Sequence, residues 1–189
     1  NSRILALSNS ESQAAFIRAT GAARCLSNLT VMTEDMNNFS ADQQFERVVS
    51  IEMFEHMRNW KALLRRIAGW LKPEGKFFLH IFSHSKTPYF FETTAEDDWM
   101  GRHFFSGGMM PSDDLLLYCQ EDLVVERHWR LNGRHYQKTA DAWLANMDDR
   151  RETIMPILAG VYGQNEAALW FQRWRIFFMA CSELWGYAG

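Results

Sequence analysis

The chain has 189 residues, of which 47% are hydrophobic and 23% are charged, proportions that are ordinary for one globular domain. Its net charge of −3 excludes a general attraction to nucleic acid or to an anionic membrane and favours a small or neutral ligand. Three scattered cysteines without a CxxC pair indicate no disulfide framework and no metal site, so we expect a reducing, cytoplasmic setting. No apolar run reaches the roughly 18 residues of a transmembrane segment, so none is predicted.

The first 82 residues alternate between strand and helix patterns. Short apolar runs predict strands at residues 4–7, 29–32, 48–51 and 76–82. Residues 8–10 supply capping side chains for a helix after the first strand, and apolar residues at helical spacing predict a second helix over 59–70, ended by residues 72–75. Strands that alternate with helices predict an α/β fold with a mainly parallel, doubly wound sheet.

The pattern changes after residue 83. We predict a turn at 106–112, a capped helix over 113–120, a strand over 123–131 and helices over 135–147, 151–161 and 165–186. The last two helical patterns are rich in aromatic residues that form either a core or an apolar pocket. We therefore expect a single domain over 1–189, with 1–83 as its cofactor-binding half and with 84–122 and 134–189 as substrate-binding or lid segments.

A charged cluster follows the predicted strand over 48–51. Glu52, Glu55 and His56 come directly after this β-branched run. Because ligands of open α/β sheets bind beyond the carboxyl ends of the strands, the cluster predicts a functional site. The alternative is a helix start stabilised by acidic residues, which explains Glu52 and Glu55 but does not explain His56.

Seven short sequence motifs, in chain order, resemble one branch of the class I S-adenosylmethionine-dependent methyltransferases. This branch is the cyclopropane-fatty-acyl-phospholipid synthase family, and within it the chain is most similar to the coclaurine N-methyltransferase-like amine N-methyltransferases. The motifs are residues 8–10 with Gln13, 34–36, 52–57, 70–73, 97–99, 104–112 and 132–136. Each motif alone is weak, but the set is specific. The resemblance implies a Rossmann-like, mostly parallel methyltransferase sheet with helices on both faces and a helical lid insertion.

The resemblance also implies S-adenosyl-L-methionine as the cofactor. Asn9 and Gln13 would bond the ribose hydroxyls, and Asp35 would bond the adenine amino group. The full set of implied cofactor contacts is Ser8, Asn9, Gln13, Asp35, Met36 and Ile51. Taken without the family, residues 8–10 are better explained as an ordinary helix cap and Asp35 as a loop carboxylate.

For catalysis, the resemblance implies N-methylation of a hydrophobic amine. Methyl transfer from a sulfonium needs positioning and a base that takes the amine proton. Glu55 and His56 would form the acid/base pair beside the substrate nitrogen. Glu52 would face substrate and cofactor and favour a cationic amine.

An alternative within the same family is methylene transfer to an unsaturated acyl chain of a lipid. In that branch a bicarbonate ion acts as the base, held by residues that correspond to His80 and Tyr136. Two features favour the amine branch, namely Glu52, where the lipid enzymes usually have glycine, and the motif over 107–112. A buried histidine bonded to the backbone is an equally good interpretation of His80.

The chain contains no GxGxG motif. The resemblance therefore implies that the first strand of the family sheet and its glycine-rich loop are missing. We expect either a preceding N-terminal segment or a partner chain to complete the sheet. A third hypothesis, from a different class, is a non-catalytic methyltransferase-like subunit of a larger assembly.

Overall fold

The computed structural model describes residues 2–94 and 98–187, and it contains two compact units. The first unit comprises Asn1–Ile51 and Lys61–His80, and the second comprises Glu52–Trp60 and Ile81–Gly189. The predicted assignment of 1–83 to the cofactor and of the later segments to the substrate stays a prediction, because compactness alone assigns a ligand to neither unit.

Two parallel strand pairs form the framework of the first unit. β1 (Ile4–Ser8) pairs with β2 (Leu29–Thr33), and β3 (Phe45–Ile51) pairs with β4 (Leu71–His80). These four strands and their parallel direction confirm the predicted α/β pattern. β4 begins earlier than the predicted strand over 76–82 because Leu71 already pairs with the start of β3 across a register shift.

Two helices connect these strands. α1 (Glu11–Ala23) begins after Ser10, whose side chain accepts the backbone N–H of Gln13 and so caps the helix as predicted. α2 (Trp60–Trp70) confirms the helix predicted over 59–70. It buries Leu63, Leu64 and Ile67 along one face, which is the spacing of an amphipathic helix.

Three long helices dominate the second unit, and all three were predicted. They are α4 (Arg134–Asp149), α5 (Arg151–Tyr162) and α6 (Ala167–Gly186). Their shared core contains Met147, Leu158, Ala167 and Phe171, with further aromatic side chains packed around it. Within residues 2–94 and 98–187, no helix has the length and apolar character needed to cross a membrane.

The segment between β4 and α4 contains only short elements. β5 (Tyr89–Phe90) pairs antiparallel with β6 (Met109–Met110), and the five-residue α3 (Trp99–His103) lies between them in sequence. Asp97, part of one of the motifs above, lies outside the described residues.

The helix predicted over 113–120 is wrong. Only a short 3-10 helix forms, over Leu115–Tyr118. The backbone just before it is already engaged, because the Asp113 N–H donates to the His84 carbonyl and the His84 N–H donates to the Pro111 carbonyl. Within the segment, the N–H groups of Leu115, Leu117 and Cys119 donate to carbonyls three residues earlier, which closes 3-10 turns rather than α-helical ones.

The strand predicted over 123–131 is also wrong. Val124, Trp129 and Leu131 are mostly exposed. No strand in the described part of the chain pairs with this segment. An alternating pattern fits a strand only where a neighbour supplies the hydrogen-bond ladder and a face to bury.

Candidate functional site

The turn after β3 carries Glu52, Glu55 and His56, which belong to the second unit. Glu52 has a φ of +52°, the left-handed region that a residue with a side chain adopts at a cost. A 3-10 helix over Phe54–His56 follows. The Trp60 indole N–H donates to the carbonyls of Phe54 and Met57, at 3.1 and 3.0 Å. The turn that presents Glu52, Glu55 and His56 is therefore held in one conformation.

Glu55 is fully buried. Its Oε1 accepts the backbone N–H of Phe82 at 3.1 Å. Its Oε2 has no hydrogen-bond partner among the described residues. Burial raises the pKa of Glu55 to about 7, and the charge of Glu52 acts in the same direction, whereas backbone N–H groups oppose the rise. A carboxyl group with this pKa can take or give a proton near neutral pH.

A glycine turn packs against the backbone of Glu55. Gly108 packs so closely that a Cβ there would lie 2.9 Å from the Glu55 carbonyl oxygen. Gly107 has a φ of +77°, which glycine adopts without strain. The Arg58 Nε donates to the Gly107 carbonyl at 3.0 Å. The sequence motif over 107–108 thus has a structural role beside the acidic cluster.

Tyr136 lies on α4 and reaches Glu52. The two side chains form a hydrogen bond in which the Tyr136 hydroxyl is the donor. Burial raises the pKa of Tyr136, and this hydrogen bond to Glu52 raises it further. The Tyr136 ring centroid lies 4.8 Å from that of Trp185 on α6. Glu52, Glu55 and Tyr136 are therefore brought together, and we refer to them as the acid cluster.

Aromatic rings line the second unit near the acid cluster. His56 is exposed and stacks on Phe105, with ring centroids 5.9 Å apart. Phe105 stacks on Phe91 at 5.1 Å, and Phe82 meets Phe105 and Trp185 edge-on at 5.9 and 6.4 Å. We call Phe82, Phe91, Phe105 and Trp185 the aromatic wall. Sequence analysis allowed a pocket role for the aromatic residues of the last helices, which include Trp185. It did not single out Phe82, Phe91 and Phe105, because no local spacing shows which aromatic residue packs beside which acid.

His80 belongs to the first unit, at the end of β4. It pairs with Ile51 of β3 in the parallel register. Its ring is partly buried, and its Nδ1 atom is buried. The catalytic roles predicted for Glu52, Glu55, His56, His80 and Tyr136 stay predictions.

The first cofactor segment follows β1, as predicted. The Ser8 hydroxyl donates to Gln13 Oε1 at 2.9 Å and accepts the Ser10 N–H at 3.2 Å. Asn9 is exposed between these two serines. Ser8 thus orients Gln13 and leaves the Gln13 amide N–H2 group available to a ligand.

The second cofactor segment follows β2. Asp35 Oδ1 accepts the backbone and side-chain N–H groups of Asn37 at 2.8 and 2.9 Å, an Asx-type turn. Arg66 of α2 donates to the Met36 carbonyl at 2.8 Å and to the Phe39 carbonyl. Sequence analysis missed Arg66, since its contact with this loop is made across a long sequence separation.

The residues of the first unit fit the nucleoside part of the expected cofactor. At the carboxyl ends of β2 and β3, Thr33 Oγ1 and Ser50 Oγ are buried without a hydrogen-bond partner among the described residues. The Asn9 amide and the Asp35 carboxylate are exposed beside β1 and β2. These donors and acceptors match the hydroxyl and amino groups of a nucleoside.

The fold is that of the Rossmann-like methyltransferases. It superposes with a TM-score of 0.91 and 32% sequence identity on the crystal structure of a coclaurine N-methyltransferase bound to N-methylheliamine and SAH. The match covers 98% of this chain and 56% of that chain. The predicted fold class is confirmed.

The model of the family described as "Mycolic acid cyclopropane synthetase" matches residues 1–186. The chain belongs to this family, which confirms the resemblance seen in the sequence motifs.

Curated relatives include members of both branches considered above. The chain is 36% identical over 191 residues to (S)-coclaurine N-methyltransferase of Thalictrum flavum subsp. glaucum, covering 99% of this chain and 53% of the relative. It is 30% identical over 118 residues to cyclopropane-fatty-acyl-phospholipid synthase of Escherichia coli (strain K12), covering 61% of this chain and 29% of the relative. The chain thus spans about half the length of the coclaurine N-methyltransferase that it matches.

Proposed function

We propose that the protein containing this chain is an S-adenosyl-L-methionine-dependent methyltransferase that N-methylates a hydrophobic amine. The observation that carries the proposal is the buried Glu55, whose pKa of about 7 suits a base at neutral pH. The similarity to a coclaurine N-methyltransferase over 99% of the chain supports the amine as acceptor. When bound, the cofactor supplies an electrophilic methyl group on a sulfonium sulfur.

In this proposal the acid cluster accepts the proton of the amine. The acceptor binds as an ammonium and gives its N–H proton to the Glu55 carboxylate. The lone pair freed on the nitrogen would then form the bond to the methyl carbon that the bound cofactor supplies, as the carbon–sulfur bond breaks. His56, which is exposed, then exchanges that proton with solvent. Glu55 and His56 are thus the acid/base pair.

Glu52 and the aromatic wall account for the choice of acceptor. A carboxylate beside aromatic faces attracts an ammonium both by charge and by cation–π interaction. The wall offers Phe82, Phe91, Phe105 and Trp185 to the apolar part of the amine. Neutral or anionic acceptors would gain nothing from the charge of Glu52.

We propose that six residues of the first unit hold the cofactor. Asn9 and Gln13 bond the ribose hydroxyls, and Asp35 bonds the adenine amino group through Oδ2, since its Oδ1 accepts from Asn37. The remaining contacts are apolar or backbone ones from Ser8, Met36 and Ile51.

Methylene transfer to an unsaturated acyl chain is the second candidate. It is supported by the presence of His80 and Tyr136 and by the similarity to the Escherichia coli synthase. Against it stands Glu52, whose φ of +52° suits glycine better than glutamate. A glutamate kept at a strained position argues that its carboxylate is used.

The two strand pairs of the first unit have edges with no partner strand among the described residues. Among the described residues, β1 pairs only with β2, and β3 pairs only with β4. Val49 and Ile51 of β3 are exposed, although apolar residues of parallel sheets are usually covered. We propose that an N-terminal segment or a partner chain supplies the intervening strand. If it does not, a non-catalytic subunit of a larger assembly is the third candidate.

We propose a cytoplasmic setting from the state of the cysteines. Cys25, Cys119 and Cys181 are all free, and Cys25 is exposed. Burial raises the pKa of Cys181 to about 11, which keeps it a thiol. An exposed free thiol such as Cys25 persists best in a reducing compartment.

The test is a pair of substitutions in the natural protein that contains this chain. Glu55→Gln and His56→Ala should each lower the rate of amine methylation by about 10²–10⁴-fold, the usual contribution of a general acid/base. Affinity for S-adenosylhomocysteine, measured by calorimetric titration, should stay within a few fold. Glu183→Gln, an exposed acid on α6, is the control and should keep full activity. Full turnover of the Glu55→Gln protein would rule out the assignment.

A further inference from the structure

Arg66 of α2 binds the backbone of the loop that follows β2. Its Nη1 donates to the carbonyl oxygens of Met36 and Asn37 at 2.8 and 3.1 Å, and its Nη2 donates to that of Phe39. A guanidinium presents its N–H donors in one fixed plane, so a single side chain can bind several carbonyl groups at once. One arginine therefore fixes the backbone of residues 36–39.

Three N–H groups of the same loop are bound by Asp35. Its carbonyl oxygen accepts the backbone N–H groups of Asn38 and Phe39, each at 2.9 Å. Its side-chain Oδ1 accepts the backbone N–H of Asn37 at 2.8 Å. A single turn of this kind is too short to be stable by itself. The turn is therefore stabilised from both sides, because Asp35 binds its N–H groups and Arg66 binds its carbonyl groups.

Arg66 is itself held in place by two aromatic rings. Its Cζ atom lies 5.4 Å from the centroid of the Trp70 ring, a cation–π contact. The Trp70 ring meets the Phe39 ring edge-on, with centroids 5.1 Å apart. Phe39 is buried and anchors the end of the loop. Asp35, at the start of the loop, is exposed.

This arrangement sets the direction of the Asp35 carboxylate. Because Oδ1 accepts the N–H groups of Asn37, the turn over 36–39 determines where Oδ2 points. Oδ2 is the oxygen proposed above to accept the adenine amino group. A hydrogen bond weakens steeply as its angle departs from linearity. A change in the turn would therefore weaken this bond without removing either of its partners.

We propose that Arg66 is a positioning residue that fixes the turn over 36–39 and so aims Asp35 Oδ2 at the adenine amino group. This inference rests on the proposed cofactor site. It assigns the preference for adenine to a residue of α2 that acts only through the loop. The competing interpretation is that Arg66 merely stabilises the fold, in which case its loss would weaken the binding of every ligand alike.

The first test compares two ligands by calorimetric titration of the natural protein that contains this chain. One is S-adenosylhomocysteine, and the other is its analogue in which a hydrogen atom replaces the adenine amino group. The natural protein should bind S-adenosylhomocysteine about tenfold more tightly, since the analogue lacks one hydrogen bond to a charged group. Arg66→Met, which keeps a good helix former but removes the donors, should lower this preference to about twofold or less.

Two further variants make the result decisive. Arg24→Met is the matched control, because Arg24 is an exposed arginine of the same unit, and it should keep the natural preference. Arg66→Lys keeps the charge but lacks the planar fork of donors, so its preference should lie between those of the natural protein and Arg66→Met. Equal weakening of both ligands in Arg66→Met would overturn the proposal. The full natural preference in Arg66→Lys would overturn it as well, even where Arg66→Met does not fold.

The second test is a double-mutant cycle with Asp35→Asn. The asparagine keeps an oxygen for the Asn37 N–H and presents an amide N–H2 group in place of Oδ2, so it should abolish the preference for the amino group. Adding Arg66→Met should then leave the ratio of the two affinities unchanged, because Arg66 acts through Asp35. A further change in that ratio would contradict the proposal.

The outcomes separate this inference from the proposed function. If the natural protein binds neither ligand, or binds both equally, the proposed cofactor contacts fail and this inference fails with them. If it prefers S-adenosylhomocysteine and Arg66→Met keeps the full preference, only the positioning role of Arg66 fails. Thermal unfolding of each variant shows whether weaker binding reflects a loss of folded protein.

Discussion

Glu55 makes the folded state sensitive to pH. Its pKa is raised from the ordinary 4.5 to about 7, chiefly by burial. The folded chain therefore binds this proton more tightly than the unfolded chain does. The contribution to stability is complete below pH 4.5 and is lost as the pH rises through 7. From this shift we expect a loss of about 3 kcal/mol, at about 1.36 kcal/mol per pKa unit.

Glu55→Gln should remove this pH dependence. A glutamine keeps an acceptor for the Phe82 N–H but cannot ionise, so the variant should be more stable than the natural protein at pH 8. Urea unfolding at several pH values between 4.5 and 8 measures the effect. Glu183→Gln serves as the matched control and should keep the pH dependence of the natural protein. An unchanged dependence in Glu55→Gln would mean that Glu55 is not the titrating group.

At the residue scale, the sequence predicted candidate site residues but not how they are supported. Glu52, Glu55 and His56 were singled out because charge follows a predicted strand directly. The packing of Gly108 against the Glu55 backbone and the hydrogen bond from the Phe82 N–H to the Glu55 carboxyl depend on contacts between distant parts of the chain. No local pattern encodes such contacts, so the burial that tunes Glu55 could not be predicted.

At the element scale, the contact between the start of α4 and the end of α6 is expected to tolerate no added atoms. Gly133→Ala would place a Cβ 2.3 Å from the Trp185 carbonyl oxygen, and we expect it to destabilise the fold by about 1–3 kcal/mol. Gly160→Ala, inside α5, meets nothing within 4 Å. It should stabilise the fold by about 0.5–1 kcal/mol, since alanine is the better helix former.

Chemical denaturation of the two alanine variants measures both effects. If Gly133→Ala left the free energy of unfolding unchanged while Gly160→Ala raised it, the contact between α4 and α6 would accommodate the added Cβ at little cost.

Elements with strong periodicity were predicted well. The three long helices and the four strands of the first unit agree with the structure. The helix over 113–120 and the strand over 123–131 failed for different reasons. The first segment closes only 3-10 turns, such as the one from the Leu117 N–H to the Asp114 carbonyl, and the segment over 123–131 finds no partner strand among the described residues.

At the scale of the whole molecule, the family is established and the reaction is a proposal. Matches to (S)-coclaurine N-methyltransferase and to cyclopropane-fatty-acyl-phospholipid synthase leave two acceptors, an amine and an acyl chain. In the proposed function the acid cluster favours the amine, because Glu52 would attract a cation and Glu55, whose pKa is raised to about 7, would take its proton. The sequence motifs predict both the amine branch and the lipid branch of the family. Which acceptor binds depends on the shape of the pocket, which the sequence does not give.

The most direct measurement is methyl transfer from isotope-labelled S-adenosyl-L-methionine by the natural protein, offered hydrophobic secondary and tertiary amines and, separately, vesicles of unsaturated phospholipid. We predict that the label appears on the amine nitrogen and that Glu55→Gln abolishes this product. Label recovered only in the acyl chains, with no methylated amine, would contradict the account.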